Sequence, residues 1–332
     1  MSIRIAVIGV GSMGKHHVRT LHEIDDVDLV GIADTNDETV QIIAKRYGVP
    51  AYTDYRRLLE ETHPDAVSIV VPTLAHHRVA MDVMKYGCHL LIEKPIAPSV
   101  QEAQEIIEEA RRRKLILMIG HIERFNPAIQ ELRKLLRENR AGKIFNIEAF
   151  RQGPFPPRHK DSGVIIDLAV HDIDIIRYLT DDEVERVFAE INRFSDASDD
   201  LLSSVLRLKG GIVASLNIDW ITPTKIREIR VHCERGLYMV NYITQDLIFF
   251  ENASAPSTTW DTLGILRGVS EGKMIRNAIT KTEPLRREIE IFLDAIHGRC
   301  EVPVTGHDSL TALIIAQKIQ LSGKEHRVVT MT

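Results

Sequence analysis

Apolar runs and amphipathic stretches alternate through the first third of the chain. The runs read "IRIAVIGV", "VDLVGIAD", "AVSIVVP", "HLLIEKP" and "LILMIGH", and the segments between them carry apolar residues at helical spacing. Strands that are apolar on both faces belong to a sheet covered on both sides, and such sheets are parallel. The sequence therefore predicts an α/β fold that begins with a doubly wound parallel sheet of the Rossmann type.

Three glycines stand at the turn between the first strand and the first helix. In such a turn the first glycine permits the bend, the second lets a pyrophosphate approach the backbone, and the third lets helix and strand pack closely. Asp34 ends the second strand, 20 residues after Gly14, where a carboxylate bonds the adenosine ribose and repels a 2′-phosphate. The pattern predicts a dinucleotide site that takes NAD. The residues expected to form it are Gly9, Gly11, Ser12, Met13, Gly14 and Asp34.

The pattern changes after about residue 122. A helix, a strand, a proline-rich loop and a very apolar helix lead into six strands in succession. The breaks between them suit hairpins, which favours an antiparallel meander in a large, mostly antiparallel open sheet. Residues 252–283 are polar and weakly periodic, and two helices close the chain. We expect a Rossmann domain at 1–122 and an α+β substrate-binding and oligomerisation domain at 123–332.

Composition argues against several other classes of protein. Asp and Glu outnumber Lys and Arg by 47 to 42, and this net charge of −5 argues against a general nucleic-acid binder. No apolar run approaches membrane-spanning length, and the N-terminus lacks a secretory pattern. The three cysteines are scattered and have no metal-ligand spacing. We therefore expect a cytoplasmic protein that binds neither nucleic acid, nor membrane, nor metal.

Ionisable residues occur at two places where a hydride-transfer reaction could use them. Lys94 lies just past the fourth apolar run, at the carboxyl edge of the predicted sheet, where ligands bind in open α/β folds. In the helix "VIIDLAVHDIDIIRYL", Asp167, His171 and Asp174 fall at i, i+4 and i+7, within an arc of about 60°. Buried ionisable groups must be paired or face a cleft. The spacing alone leaves open both a satisfied Asp–His pair and a catalytic site.

These motifs together resemble the Gfo/Idh/MocA family of NAD(P)-dependent oxidoreductases. The resemblance rests on the glycine string at 9–14, on "EKP" at 93–95 and on "GVIIDLAVHDID" at 163–174, and it covers essentially the whole chain. The last segment follows the family pattern G-x-x-x-D-x-x-x-H-x-x-D. "VPTLAHH" resembles the family's T-P-N-x-x-H, although Thr73 stands where the family usually has Asn.

The resemblance implies roles for individual residues. His171 is the expected base near neutral pH, Lys94 stabilises the developing alkoxide or exchanges the base role with it, and Asp167 keeps the cluster polarised. Further cofactor contacts are expected from Thr73, His76, Glu93, Lys94 and Arg124.

The loop "FRQGPFPPRHKDSG" gathers basic residues just before the apolar helix. It is either a solvated loop or an anion-binding wall for a phosphorylated or nucleotide-linked sugar. Together with "GHIERFNPAI" it resembles the sugar-nucleotide branch of the family, which implies oxidation of the 3-hydroxyl of UDP-N-acetylglucosamine to a ketone. The expected substrate contacts are Lys94, Arg151, Arg158, Asp167 and His171.

Other readings of the sequence stay open. An inositol, polyol or free-aldose dehydrogenase of the same family is the first alternative. A non-catalytic NAD-binding regulator is an alternative of another class. The family resemblance also implies a homodimer or homotetramer built through the open face of the C-terminal sheet.

Overall fold

The computed structural model describes residues 2–155, 163–194, 199–252 and 271–331. The chain divides into two compact units. The first comprises Met1–Ile122 and Glu283–Ile314, and the second comprises Glu123–Thr282 and Ile315–Thr332.

The described residues of the first unit contain a six-stranded parallel sheet in the order β3-β2-β1-β4-β5-β6. Its strands are β1 (Ile3–Ile8), β2 (Val27–Ala33), β3 (Ala51–Tyr52), β4 (Ala66–Ile69), β5 (His89–Glu93) and β6 (Leu117–Gly120). The alternating helices are α1 (Gly14–His22), α2 (Asp37–Tyr47), α3 (Tyr55–Thr62), α4 (His76–Lys85) and α5 (Val100–Arg113). This strand order is the Rossmann order, with its switch point between β1 and β4.

The five predicted strands of this sheet are all present, and their burial explains their composition. All four residues of β4 are buried, as is every residue of β1 except the second. Polar side chains mark where three of the helices begin. Asn36, Asp54 and Ser99 each accept a backbone hydrogen bond as the N-cap of α2, α3 and α5, respectively. The additional strand β3 has only two residues, which is too short for any periodicity to reveal.

The described residues of the second unit contain a nine-stranded sheet in the order β14-β13-β12-β11-β7-β10-β9-β8-β15. Its strands are β7 (Ile144–Gln152), β8 (Val184–Asn192), β9 (Leu201–Leu208), β10 (Val213–Asp219), β11 (Ile226–Cys233), β12 (Gly236–Asn241), β13 (Asp246–Asn252), β14 (Glu271–Arg276) and β15 (Val329–Thr330). The unit also contains α6 (Pro127–Arg137) and α7 (Val170–Thr180), and a π-helical turn, Ile165–Ala169, leads into α7.

The second sheet is mostly antiparallel and open, as predicted, but it is not a simple meander. Strand β7 lies between β10 and β11 and pairs with β10 in parallel. The chain therefore crosses over β7 on its way from β10 to β11, where a hairpin was expected. Strand β14 forms within the segment predicted as a polar excursion, and it pairs with β13.

Residues 283–314 lie in the first unit, whereas the sequence pattern had assigned them to the second domain. This segment carries α8 (Pro284–Ile296) and the beginning of α9 (Gly306–Glu325). The N–H of Ile119 in β6 donates to the carbonyl of Val304 at 3.2 Å, and a Cβ at Gly306 would lie 2.6 Å from Ile107 of α5. The segment thus continues the packing of β6 and α5, a long-range relation that local patterning does not reveal.

No helix in the described ranges is long and apolar enough to cross a membrane.

Candidate active site

The glycine turn after β1 has two closed positions and one open position. Gly9 has φ +93°, and a Cβ there would lie 2.4 Å from the carbonyl oxygen of Val70. A Cβ at Gly14 would lie 1.9 Å from the carbonyl oxygen of Gly9. A Cβ at Gly11 would meet no atom within 4 Å, so this position is open to a ligand. No side chain caps the N-terminus of α1 in the described structure. The N–H groups of Lys15 and His16 donate to the carbonyl oxygens of Gly11 and Met13, so the N–H groups that precede them are the ones left for an anion.

Asp34 connects the end of β2 to this turn. One carboxylate oxygen accepts a hydrogen bond from the N–H of Val10 at 2.8 Å, and the other accepts one from the N–H of Asn36 at 2.9 Å. The carboxylate is therefore fixed beside the glycines. An open glycine, an uncapped helix N-terminus and an acid at the end of β2 together fit the pyrophosphate and ribose of a dinucleotide.

A buried polar group ties α1 to the sheet beneath the turn. His17 is 1% exposed; its Nδ1 lies 2.8 Å from Ser68 Oγ in β4, and its Nε2 lies 3.1 Å from Glu93 Oε1 at the end of β5. Burial acts to raise the pKa of Glu93, but the interactions with His17 and Lys94 outweigh it and lower that pKa. The sequence pattern did not single out His17, although its place one turn after Gly14, on the buried side of α1, points to burial.

His76 links the loop after β4 to Pro95, the residue that follows Lys94. Its ring is 1% exposed, with Nδ1 2.9 Å from the carbonyl oxygen of Pro95 and Nε2 2.9 Å from that of Val71. Burial lowers the pKa of His76 although both carbonyls favour the charged ring. Both ring nitrogens therefore face backbone carbonyls, and the predicted cofactor contact of His76 stays a prediction. Thr73, by contrast, is partly exposed in the short 3-10 turn before α4.

Lys94 directly follows β5 at the carboxyl edge of the first sheet, and its backbone N–H donates to the Glu93 carboxylate at 3.2 Å. The Lys94–Pro95 peptide is cis. The other predicted residues of this unit lie at the same edge, because they follow the carboxyl ends of neighbouring strands. The glycine turn follows β1, Asp34 follows β2, and Thr73 follows β4. The first unit thus brings these residues together where ligands bind in such sheets.

In the second unit, the helix predicted to be catalytic begins with the π-helical turn. Asp167 lies within that turn and His171 lies in the first turn of α7, and both are partly exposed. Asp174, by contrast, is buried, with 1% of its surface exposed to solvent. The predicted common arc assumed regular α-helical spacing throughout, whereas the π-helical turn inserts a residue and rotates the residues that precede α7. Such turns are frequent at functional sites.

Arg124 is buried in an ion pair with Asp174. Its Nε and Nη2 lie 2.7 Å and 2.5 Å from the two carboxylate oxygens, and the residue is 6% exposed. The guanidinium also lies 5.0 Å from the centre of the Tyr178 ring. The guanidinium therefore holds α7 by a two-pronged ion pair, and the predicted cofactor contact of Arg124 stays a prediction.

Arg151, a predicted substrate contact, is likewise buried. Its Nε and Nη2 lie 2.6 Å and 3.0 Å from the carboxylate of Asp172, and its Nη1 lies 2.9 Å from Glu123. Burial disfavours its charge, but the two carboxylates outweigh burial and raise the pKa of Arg151. At 4% exposure this side chain holds β7 to α7. Arg158, the other predicted arginine, lies outside the described residues.

Two family models match most of the chain. A model described as the oxidoreductase family, NAD-binding Rossmann fold, matches residues 3–121. A model described as the GFO/IDH/MocA C-terminal domain matches residues 129–239. The first match coincides with the part of the first unit that carries the glycine turn, Asp34 and Lys94, and it identifies that part as NAD-binding.

Individual relatives share this organisation along their full length. The chain is 32% identical over 321 residues to a UDP-N-acetylglucosamine 3-dehydrogenase from Acidithiobacillus ferrooxidans, covering 96% of this chain and 97% of the relative. The solved structure of that enzyme has a TM-score of 0.87 at 31% identity and 98% coverage of both chains. An inositol 2-dehydrogenase from Rhizobium meliloti is 27% identical over the full length of both proteins.

Proposed function

Because this chain belongs to the Gfo/Idh/MocA family of NAD-dependent oxidoreductases, we propose that it oxidises the 3-hydroxyl of UDP-N-acetylglucosamine to a ketone. The chain is a dehydrogenase of the sugar and inositol class, and the proposal concerns its substrate. One observation carries it: the full-length similarity to the Acidithiobacillus ferrooxidans enzyme, in both sequence and fold.

The proposed chemistry uses three side chains. NAD, when bound by the first unit, would supply the hydride acceptor. His171 takes the proton of the reacting hydroxyl, since a histidine titrates near neutral pH. Lys94 stabilises the negative charge that develops on that oxygen, and Asp167 keeps the cluster polarised. The partial exposure of Asp167 and His171 and the place of Lys94 at the ligand-binding edge of β5 support this assignment.

A polyol is the second candidate substrate, because inositol dehydrogenases also match this chain over its full length. Inositol carries no charge, whereas a nucleotide sugar brings a diphosphate. The two candidates therefore place different demands on the basic residues of the second unit.

The experiment is a survey of purified protein with NAD, following reduced nicotinamide by absorbance. UDP-sugars, free aldoses and inositols are compared, and each active substrate is repeated with NADP. We expect turnover with UDP-N-acetylglucosamine and a preference for NAD, since Asp34 would repel a 2′-phosphate. Turnover on inositols alone would contradict the proposed substrate. Bound NAD without turnover on any member would favour the non-catalytic alternative.

We also propose a homodimer or homotetramer built through the open face of the second sheet. Phe188 of β8 and Val205 of β9 are direct cross-strand neighbours on this face, and they are 38% and 48% exposed. Exposed apolar side chains on an open sheet are typical of a surface that a partner covers. Light scattering tests this, and a monomer at assay concentrations would contradict it.

A cytoplasmic location completes the proposal. All three cysteines lie in the described ranges, and each is a free thiol. Burial raises the pKa of Cys88 to about 12 and that of Cys233 to about 11, so both are unreactive. Free thiols suit a reducing compartment. Fractionation of the source cells tests this location.

A further inference from the structure

Two arginines of the second unit face each other across neighbouring strands. In the antiparallel pair of β7 and β11, Arg227 lies directly opposite Arg151. Directly opposed residues project from the same face of a sheet. Arg151 reaches Asp172 of α7 on that face, so the side chain of Arg227 leaves the sheet on the side that α7 covers.

The two guanidinium groups differ in their partners. Arg151 is neutralised by two carboxylates, as described above. Arg227 donates from Nη1 to the carbonyl oxygens of Gln152 and Ile226, at 2.5 Å and 2.7 Å. Carbonyl oxygens satisfy hydrogen bonds but do not neutralise charge. Among the residues that the structure describes, no carboxylate lies within ion-pair distance of Arg227.

The unbonded edge of Arg227 is the one that recognises anions. Arg151 uses its Nε and Nη2 to hold both oxygens of Asp172. The same Nε–Nη2 edge of Arg227 bonds no described residue, and the side chain is only partly buried. A planar edge with two parallel donors is the part of arginine that best matches carboxylate or phosphate oxygens.

The electrostatic surroundings of Arg227 favour an incoming anion. Burial lowers the pKa of Arg227, and the neighbouring charge of Arg151 lowers it further. Asp172, Glu123 and Asp167 act in the opposite direction. The charge is therefore held without a direct counter-ion, and its interaction with Asp167 places it in the electrostatic neighbourhood of the candidate catalytic helix.

The surrounding backbone forms one rim of the sheet. Gln152, the last residue of β7, pairs with Asp219 at the end of β10 and with Ile226 at the start of β11. Next to Asp219, Trp220 packs against Phe155 with their ring centres 5.8 Å apart. A Cβ at Gly153 would lie 3.9 Å from Nη1 of Arg227. Arg227 thus lies at the rim of the sheet where β7 ends, and the pair of Phe155 and Trp220 belongs to chain segments that leave the same rim.

We propose that Arg227 binds phosphate oxygens in the diphosphate of the nucleotide-sugar substrate. This inference rests on the proposed function, because it assigns the anionic part of that substrate to a residue. It makes Arg227 the group that separates nucleotide sugars from neutral polyols. The sequence held a signal for it: Arg227 occupies the same face of β11 as the buried Ile229 and Val231.

The test measures binding of UDP to the NAD-loaded protein by calorimetry, for the wild type, Arg227→Gln, Arg227→Lys and the control Arg230→Gln. Arg230 lies on the opposite face of the same strand. We expect Arg227→Gln to weaken UDP binding about 10- to 100-fold, the value of charge-assisted hydrogen bonds, with NAD affinity unchanged. Arg227→Lys keeps the positive charge but not the two parallel donors, so we expect it to lose less UDP affinity than Arg227→Gln. Arg230→Gln should bind UDP as the wild type does.

The outcomes separate this inference from the proposed function. If wild-type protein binds UDP and Arg227→Gln does not, the inference stands even where UDP-N-acetylglucosamine is not oxidised. Unchanged UDP affinity in both Arg227 variants would overturn it, and so would a wild type that does not bind UDP. In an active enzyme, Arg227→Gln should raise KM for the UDP-sugar while kcat for a neutral sugar or inositol stays unchanged. An equal loss on neutral substrates would show a structural role and overturn the inference.

Discussion

Gly14 lies directly against the carbonyl group of Gly9, and a Cβ at Gly14 would lie 1.9 Å from the carbonyl oxygen of Gly9. A Cβ at Gly11, between them in the sequence, would meet no atom within 4 Å. The glycines of this turn therefore meet two different requirements, one for packing inside the protein and one for the approach of a ligand. Gly14 is required by the packing of the first helix on the first strand, whereas Gly11 is required by what approaches from outside.

Substitution of these two glycines should separate stability from cofactor binding. We expect Gly14→Ala to lower the free energy of unfolding by about 3 kcal/mol, because backbone must move to admit the methyl group. Gly11→Val should change it by less than about 0.5 kcal/mol, since the position is open. The same variant should weaken NAD binding more than about tenfold by blocking the pyrophosphate. Urea unfolding and a fluorescence titration with NADH measure the two effects, and equal stability losses would contradict the distinction.

Lys94→Ala and His171→Ala should each reduce kcat by about 100-fold or more, as expected for loss of a proton-transfer or charge-stabilising group. NAD affinity should stay largely intact, because both variants keep the glycine turn and Asp34, the predicted contacts of the pyrophosphate and the ribose. The control is Lys209→Ala, an exposed lysine in the β9–β10 hairpin. Turnover near the wild-type rate in both variants would remove these residues from the proposed mechanism.

Arg151 should behave as a structural residue. Arg151→Gln leaves the buried carboxylate of Asp172 and the partly buried carboxylate of Glu123 without their counter-ion, and we expect the free energy of unfolding to fall by about 3–5 kcal/mol. Adding Asp172→Asn should recover part of that loss, because it removes one uncompensated charge. Chemical denaturation of the single and double variants measures the coupling. A stable Arg151→Gln protein that has lost only substrate affinity would restore the original expectation of a substrate contact.

The contrast between these residues shows which features of the molecule the sequence predicts. The glycine turn, the parallel strands and Lys94 depend on short-range spacing, and the structure places each as that spacing implies. The pairing of β7 between β10 and β11 depends on strands more than 60 residues apart, which no local pattern encodes. Arg124 and Arg151 pair with Asp174 and Asp172, which lie 50 and 21 residues away along the chain, and no local pattern reveals such pairs.

Glu288 of α8 is a fully buried carboxyl group, and neither of its oxygens has a hydrogen-bond partner among the described residues. Burial, together with the nearby Glu93, raises the pKa of Glu288 well above its ordinary value. The unfolded chain therefore releases this proton at a lower pH than the folded protein does. Stability from the protonated form is complete below the unfolded pKa and is lost as the pH rises toward the folded pKa.

Glu288→Met should stabilise the protein, because it removes a buried carboxyl group that has no hydrogen-bond partner among the described residues. We expect its free energy of unfolding to exceed that of the wild type by about 1–3 kcal/mol near pH 8, the range for an unsatisfied buried polar group. The gain should be smaller near pH 5, where the wild-type carboxyl is protonated in the folded protein. Glu290→Gln, on the same helix but paired with Arg286, is the control and should change little. A gain in the free energy of unfolding that does not grow with pH would contradict a raised pKa of Glu288.

The carbon–hydrogen bond that breaks identifies the oxidised carbon of the substrate. UDP-N-acetylglucosamine carrying deuterium at C3 is incubated with the protein and NAD, and the cofactor is analysed by mass spectrometry. We expect deuterium in the reduced nicotinamide and a slower reaction than with the unlabelled sugar. Reduced cofactor without deuterium, or no reduction at all, would contradict oxidation at the 3-hydroxyl.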